Sequence, residues 1–159
     1  MFYHVHGEGI MANHQKDTVE LFNYLKSVKN EKDLQDYLSY VKGQELSFSQ
    51  YYNDILAKKN ISLNDARVNS GLSKGYAYDI INGKKTNPSK NKILALIVSA
   101  HMDVKEANKA LRLINKGSLD PKNPRDFCVI SHLLHNNYDI NSINQEIYDL
   151  TQDESMLLL

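Results

Sequence analysis

The chain has 159 residues, which suffices for one domain with a hydrophobic core and a small appended hairpin but excludes two large domains. With 42% hydrophobic and 24% charged residues it has the composition of a globular protein, and its seven Gly and three Pro argue against disorder and against a loop-rich β fold. Its formal net charge is zero, which taken alone speaks against a nucleic-acid partner.

The sequence predicts a cytoplasmic protein without a membrane span. Its single cysteine, Cys128, lies in the apolar run DFCVISHLL, where it has no internal disulfide partner and is expected to be a small buried hydrophobe in a reducing compartment. No apolar stretch approaches the roughly 20 residues that a membrane span requires. The N-terminus lacks the basic flank and apolar centre of a signal peptide, and Met11 is an alternative start because helical patterning begins only near Thr18.

The first patterned segment is a predicted helical hairpin over residues 18–43, preceded by a poorly ordered segment over residues 1–17. Apolar residues recur at helical spacing in DTVELFNYLKSVKN and again in EKDLQDYLSYVKG, where Gly43 ends the pattern. Two such helices joined by a short polar connection indicate a hairpin.

Residues 47–116 predict a domain of five helices. The first runs from about Phe48 to Lys59, because Ser47 and Gln50 form a capping box. The fourth is the most hydrophobic helix of the chain and is predicted to be the central pillar of the core. Its expected cap is Asn87, followed by Pro88 in the first turn, and the fifth helix begins behind a capping box of Asp103 and Glu106.

The second and third helices of this domain are short. Ser62 caps the second, which ends at Gly71, and Ser73 opens the third, which ends at Gly83. Two short helices joined by a tight turn that contains glycine are the pattern of a helix-turn-helix.

A C-terminal helical hairpin is predicted over residues 124–151, with its second helix capped by Ser142 and Gln145. Arg125 and Asp126 begin its first helix, where we expect capping and a local ion pair. An alternative is that this hairpin, together with the tail, presents an apolar surface to another subunit or to a protein partner.

The tail over residues 152–159 has no helical stop signal and is predicted to be frayed or bound to a partner. No alternation of polar and apolar residues is long enough to indicate a strand. The predicted fold class is therefore all-α, with a five-helix domain between an N-terminal hairpin and a C-terminal two-helix extension.

The zero net charge hides a basic segment in the middle of the chain. From Lys58 to Lys92 there are eight basic and two acidic residues, a local charge of +6, whereas the rest of the chain has 11 basic and 17 acidic residues. Such a segment is suited to a polyanionic partner.

The five central helices resemble the Cro and cI type (XRE-like, lambda-repressor-like) of helix-turn-helix DNA-binding proteins. The likeness is carried by ISLNDARVNSGLSKGYAYDIINGKKTNPSKNKILALIVSAHMDV, and above all by Asn-Gly-Lys followed by Pro-Ser. In that family the second helix of the motif enters the major groove and the first lies across the DNA backbone. The resemblance therefore implies a sequence-specific transcriptional regulator, repressor-like, that binds double-stranded DNA as a homodimer, with no enzymatic activity and no cofactor.

The resemblance also implies which residues would contact DNA. The third central helix, over residues 73–82, would present four residues to base edges, and its end would meet phosphates together with the two capping serines. The implied DNA-binding residues are Ser62, Ser73, Lys74, Gly75, Tyr76, Tyr78, Asp79, Asn82, Lys84 and Lys85.

Three departures from the family pattern support an alternative, a helical protein–protein interaction adaptor with the same fold. Arg67 stands where the family has a small packing Ala, Gly75 offers no side chain to a base, and Asp79 is negative at a groove-facing place. Gly75 would then mark a close approach of another backbone, and Tyr76 and Tyr78 would be packing rings. A third hypothesis is an antitoxin-like role, in which a terminal hairpin masks a toxin.

Other chemistry is not expected. His132 and His135 lie three residues apart on a predicted helix, but no third ligand is spaced near them, so no metal site is predicted. The segment NGKKT lacks the first glycine of a phosphate-binding loop. No catalytic triad, carboxylate pair or activated cysteine is recognisable.

Overall fold

The computed structural model describes residues 16–43 and 46–159, which contain nine α-helices, one 3₁₀ turn and no strand. The predicted all-α class is therefore confirmed for this part of the chain, whereas most of the predicted N-terminal segment, residues 1–15, lies outside the described residues. The helices are α1 (Thr18–Lys26), α2 (Glu31–Gly43), α3 (Phe48–Lys58), α4 (Leu63–Ser70), α5 (Lys74–Ile81), α6 (Lys90–Ser99), α7 (Val104–Leu113), α8 (Pro124–Leu134) and α9 (Ile140–Thr151), followed by the 3₁₀ turn Glu154–Met156.

The chain divides into two units, residues 1–45 and residues 46–159. In the first, α1 begins at a capping box in which Asp17 accepts from the backbone N–H of Glu20. The α1–α2 hairpin is held by edge-to-face contacts of the Tyr24 ring with two tyrosine rings of α2. None of its helical residues is buried, and Val19 is 66% exposed.

The core of the second unit is built around α6. Every residue from Ile93 to Ala100 is buried, and α6 packs against α4, α7, α8 and α9. A helix that is apolar on all sides needs such a set of neighbours to bury each face. The predicted central pillar is thus confirmed.

Two predicted capping boxes are present, those of Ser47 with Gln50 before α3 and of Asp103 with Glu106 before α7. The predicted start of α6 is wrong, because Ser89 and not Asn87 is the cap. The Asn87 side chain instead accepts a hydrogen bond of 2.8 Å from Lys116 Nζ. The Asn87 side chain, which the sequence predicts as the helix cap, is therefore engaged in a contact with a residue distant in sequence.

The predicted start of α9 is also wrong. Asp139 caps it, one turn before the expected cap. The Ser142 hydroxyl, at the third helical position, donates to Asp139 Oδ2 over 2.6 Å. Because an Asp side chain accepts from the exposed N–H groups at a helix start, the earlier residue wins the position.

The prediction of a frayed or partner-bound tail is wrong as well. Leu158 is 1% exposed, and its backbone N–H donates to Asn144 Oδ1 of α9 over 2.7 Å. Two side chains of α6 donate to tail carbonyls, Asn91 to Ser155 and Lys92 to Leu159, each over 2.8 Å. The tail is therefore docked on its own chain by one buried leucine and several backbone hydrogen bonds.

A buried carboxylate joins α6 to α8. Asp126 is 1% exposed, and its side chain accepts from Lys90 Nζ over 3.1 Å, from the Arg125 guanidinium over 2.9 Å and from the Asp120 N–H over 2.9 Å. The expected local ion pair is confirmed and gains a long-range lysine. A buried charge is tolerated only when it is paired and hydrogen-bonded. These three contacts therefore compensate for the burial of the Asp126 charge.

All seven helices of the second unit are followed closely by a residue in the left-handed region of backbone conformation. At Gly71 and Gly83 the positive φ angles of 74° and 81° suit glycine. The other five helices end at residues that carry a side chain, namely Asn60, His101, Asn115, Asn136 and Gln152. In each case the left-handed residue lies one or two positions after the end of the helix.

We expect Asp126→Asn to lower the free energy of unfolding by about 3 kcal/mol, because it leaves two partly buried cations without their counter-charge. Chemical denaturation monitored by circular dichroism measures the loss. Asp54→Asn, at an exposed position of α3, is the matched control and should change stability by less than about 0.5 kcal/mol. Equal effects of the two substitutions would contradict the role assigned to Asp126.

Leu158→Ala should destabilise the chain by about 2–5 kcal/mol, because it empties a buried site on α9. Leu159→Ala, at a neighbouring position that is 64% exposed, serves as control and should be nearly neutral. Thermal unfolding of both variants gives the comparison. A docked tail is refuted by identical melting temperatures.

Candidate nucleic-acid interface

The helices α4 and α5 form a corner with a tight turn. Gly71 ends α4 with a φ of 74°, and its N–H donates to the Val68 carbonyl. The next N–H, of Leu72, donates to Ser70 Oγ over 3.2 Å, and the Leu72 side chain is buried. Ser73 then caps α5. The N–H groups of Gly71 and Leu72 are thus both hydrogen-bonded within the turn.

The inner side of the corner is closely packed. Ala66 of α4 and Ala77 of α5 are both fully buried, and the two helices pack against each other, while α4 also packs on α6. Arg67, which stands at the family position of the small alanine, is instead half-buried, and its Nη2 donates to Asn64 Oδ1. The small buried residue of α4 is therefore Ala66, one place before Arg67, and the two helices still pack closely against each other.

The outer side of the corner carries most of the predicted DNA-binding residues. Lys74, Gly75 and Asp79 are exposed on α5, and Asn82 is its exposed C-cap. A Cβ atom added at Gly75 would meet nothing within 4 Å. Among the described residues no backbone approaches this glycine closely, so that packing alternative is wrong.

The loop after α5 folds back on it and exposes two lysines. The Lys85 N–H donates to the Asp79 carbonyl over 2.9 Å, which closes the turn around Gly83. The side chains of Lys84 and Lys85 are exposed, and neither has a carboxylate partner among the described residues. Both cations are free to meet an external anion.

The two capping serines are already engaged. Ser62 Oγ accepts from the Asp65 N–H over 3.0 Å, and Ser73 Oγ accepts from the Tyr76 N–H over 3.4 Å. Both residues are exposed, and each hydroxyl still has a hydrogen to donate.

Tyr76 and Tyr78 are half-buried and pack against the core. The Tyr76 ring has two ammonium groups over it, with Lys85 Nζ at 4.4 Å and Lys92 Nζ at 4.8 Å from the ring centroid. Lys92 is absent from the set implied by the sequence. Its position in the first turn of α6, directly after the loop that carries Lys85, is the feature of the sequence that could have placed it near this site.

Ion pairs within the chain reduce the charge of the basic segment. Lys58 and Lys59 both contact Glu106, at 3.4 and 2.7 Å, and Lys90 is paired with Asp126. Three of its eight basic residues are therefore paired within the chain, and they share two carboxylates. The lysines left without carboxylate partners among the described residues are Lys74, Lys84, Lys85 and Lys92, on the corner and at the start of α6.

His132 and Cys128 lie elsewhere, on α8, and His135 is the C-cap of that helix. His132 Nε2 is 2.6 Å from Glu146 Oε2, whereas His135 Nδ1 is 2.7 Å from the Ser131 carbonyl oxygen. Cys128 is buried, and burial together with the nearby Glu146 carboxylate raises the pKa of its thiol to about 11. A thiol with such a pKa is a poor nucleophile at neutral pH.

Comparisons of the chain with models of protein families, with curated proteins and with solved structures find no match. Within residues 16–43 and 46–159, His, Cys, Asp and Glu form no group of three that could hold a metal ion. The helices of these same ranges are too short or too polar to cross a membrane.

We expect the Cys128 thiol of the native protein to resist alkylation by iodoacetamide at pH 8. A pKa of about 11 leaves roughly 0.1% of the thiol as thiolate, and burial blocks access. Mass spectrometry after timed exposure measures the reaction, and the same protein unfolded in urea is the control. Similar rates in the native and unfolded states would rule out a buried, protonated thiol.

Proposed function

We propose that this chain is a sequence-specific DNA-binding transcriptional regulator of the repressor type. The observation that carries the proposal is the corner of α4 and α5, which is packed on its inner side and bears Lys74, Lys84 and Lys85 on its outer side. Exposed cations on a closely packed pair of short helices are the arrangement by which such corners bind the DNA backbone.

In this proposal α5 enters the major groove and α4 lies across the backbone. Lys74, Tyr78 and Asp79 face base edges, where an ammonium donates to guanine acceptors and a carboxylate accepts from cytosine N4. Lys84 and Lys85, in the loop, contact phosphates and fix the register of the helix. Gly75 lets the helix backbone approach the bases, which accounts for a glycine that no contact within the chain requires.

We further propose that α3 to α7 have the five-helix arrangement of the Cro and cI type, and that the protein acts as a homodimer in the cytoplasm. The helix order and the left-handed glycine between α4 and α5 support the arrangement. A dimer is expected because such domains bind paired half-sites about one turn of DNA apart.

A second candidate function is that of a protein–protein interaction adaptor. The observation that favours it is the α1–α2 hairpin, in which Val19, Phe22 and Leu25 are exposed and no helical residue is buried. An apolar surface of this kind is suited to another protein. The two candidates differ in which unit carries the function. They are separated by whether the protein binds DNA through the lysines of the corner.

Replacing both Lys84 and Lys85 by Glu should weaken binding to a random-sequence DNA duplex about 10- to 100-fold at low salt, because two phosphate contacts become repulsive. The slope of log affinity against log salt should also fall by about 2. Fluorescence anisotropy over a series of salt concentrations gives both values.

The matched control replaces Lys105 and Lys122 by Glu, which changes the net charge equally at exposed positions away from the corner. This control should keep most of the affinity. Unchanged binding by the corner variant, or an equal loss in the control, would remove the support for the proposed function.

A further inference from the structure

The side chain of Tyr76 on α5 contacts both the core and two lysine ammonium groups. It packs partly against the hydrophobic core, while Lys85 reaches its ring from the loop after α5 and Lys92 reaches it from the first turn of α6. Among the described residues neither lysine has a side-chain carboxylate within ion-pair distance. Two like charges are thus gathered around one ring without a side-chain counter-charge among the described residues.

Such a gathering has an electrostatic cost that the ring offsets only in part. A cation over the face of a tyrosine is attracted by the ring quadrupole, which favours the contact about 2- to 5-fold at an exposed site. Two ammonium groups drawn to the same ring repel each other. An external anion bound by both ammonium groups relieves this repulsion.

The second lysine has an additional support. Lys92 Nζ donates to the Leu159 carbonyl over 2.8 Å, and Leu159 follows the buried Leu158 that docks the tail. An ammonium has three hydrogens, so one hydrogen bond leaves donors for an anion. The docked tail and the Tyr76 ring together restrict the freedom of this lysine before any ligand binds.

We propose that Lys85 and Lys92 form a binding site for a DNA phosphodiester and that Tyr76 is its positioning residue, an inference that rests on the proposed DNA binding. The site adds Lys92 to the DNA-binding residues and gives Tyr76 a role other than contact with a base. A fixed pair of ammonium groups suits a phosphodiester, which carries one charge on two non-bridging oxygens. The ring acts by holding the lysines, because ordering a free lysine on binding costs affinity.

A positioning role differs measurably from a direct contact. If the Tyr76 ring acts through the lysines, its removal should matter only while the lysines are present. If the ring stacks on a base or supports the helix in its own right, its removal should cost the same with or without them. A double-mutant cycle separates the two cases.

The experiment compares Tyr76→Leu and Tyr76→Phe, each in the full chain and in a background with Lys85→Gln and Lys92→Gln. Affinity for a random-sequence duplex is measured over a series of salt concentrations. We expect Tyr76→Phe to bind within 2-fold of the unaltered protein and Tyr76→Leu to bind about 5- to 10-fold more weakly. In the glutamine background Tyr76→Leu should change affinity by less than 2-fold, and the salt slope of this background should be lower by about 2.

The lysine ε-methylene protons provide a second readout that needs no DNA. Protons held over an aromatic ring have ring-current shifts, which should be present in the unaltered protein and in Tyr76→Phe and absent in Tyr76→Leu. Circular dichroism checks that each variant is folded.

The outcomes separate the two proposals. If the unaltered protein and the glutamine background bind the duplex equally, or if neither binds, Lys85 and Lys92 form no phosphodiester site. If DNA binding is intact and Tyr76→Leu costs the same in both backgrounds, the positioning role of Tyr76 is overturned while the proposed function stands. Absence of ring-current shifts in the unaltered protein also overturns that role.

Discussion

The burial of α6 on all sides is the constraint on which the second unit depends. Because each residue from Ile93 to Ala100 is apolar or satisfied within the core, the helix requires neighbours in every direction, and α4, α7, α8 and α9 supply them. The position of α4, and with it the direction of the corner toward solvent, follows from this packing. The proposed interface is therefore set by an interior helix that exposes none of its middle residues.

The charged first turn of α6 has a different task from its apolar middle. Lys90 neutralises the buried Asp126, Asn91 contacts Arg125 and the tail, and Lys92 reaches the Tyr76 ring. One turn of helix thus connects the C-terminal extension to the outer surface of α5. This connection makes the last helices part of the structure that supports the corner, and a change in them can act at the corner without touching it.

Much of the fold could be predicted because its signals are local. Helical periodicity gave the helices, two capping boxes gave exact starts, and Gly71 and Gly83 gave two ends. The starts of α6 and α9 and the docking of the tail were mispredicted. In α6 and in the tail, hydrogen bonds between residues distant in sequence decide the outcome, and a sequence pattern carries no record of them.

The same distinction applies to the candidate site. The corner and its exposed Lys74, Lys84 and Lys85 follow from the glycine turn and could be placed from the sequence. The pairing of Lys59 with Glu106 and the approach of Lys92 to Tyr76 could not, since they join residues 47 and 16 positions apart. A count of charges along the chain therefore overstated the free cations, and it did not indicate that Lys92 lies at the proposed site.

The left-handed residues that end five helices carry a further implication, for the chain's tolerance of change. A residue with a side chain is less stable in this conformation than glycine, by about 1–2 kcal/mol, and Asn has the smallest deficit. His101 has compensation, because its carbonyl accepts from Lys59 and its ring stacks on Tyr138. Among the described residues the Gln152 side chain has only a local contact with the Tyr148 carbonyl. A substitution at Gln152 could therefore raise the stability of the protein without altering the outer surface of the corner.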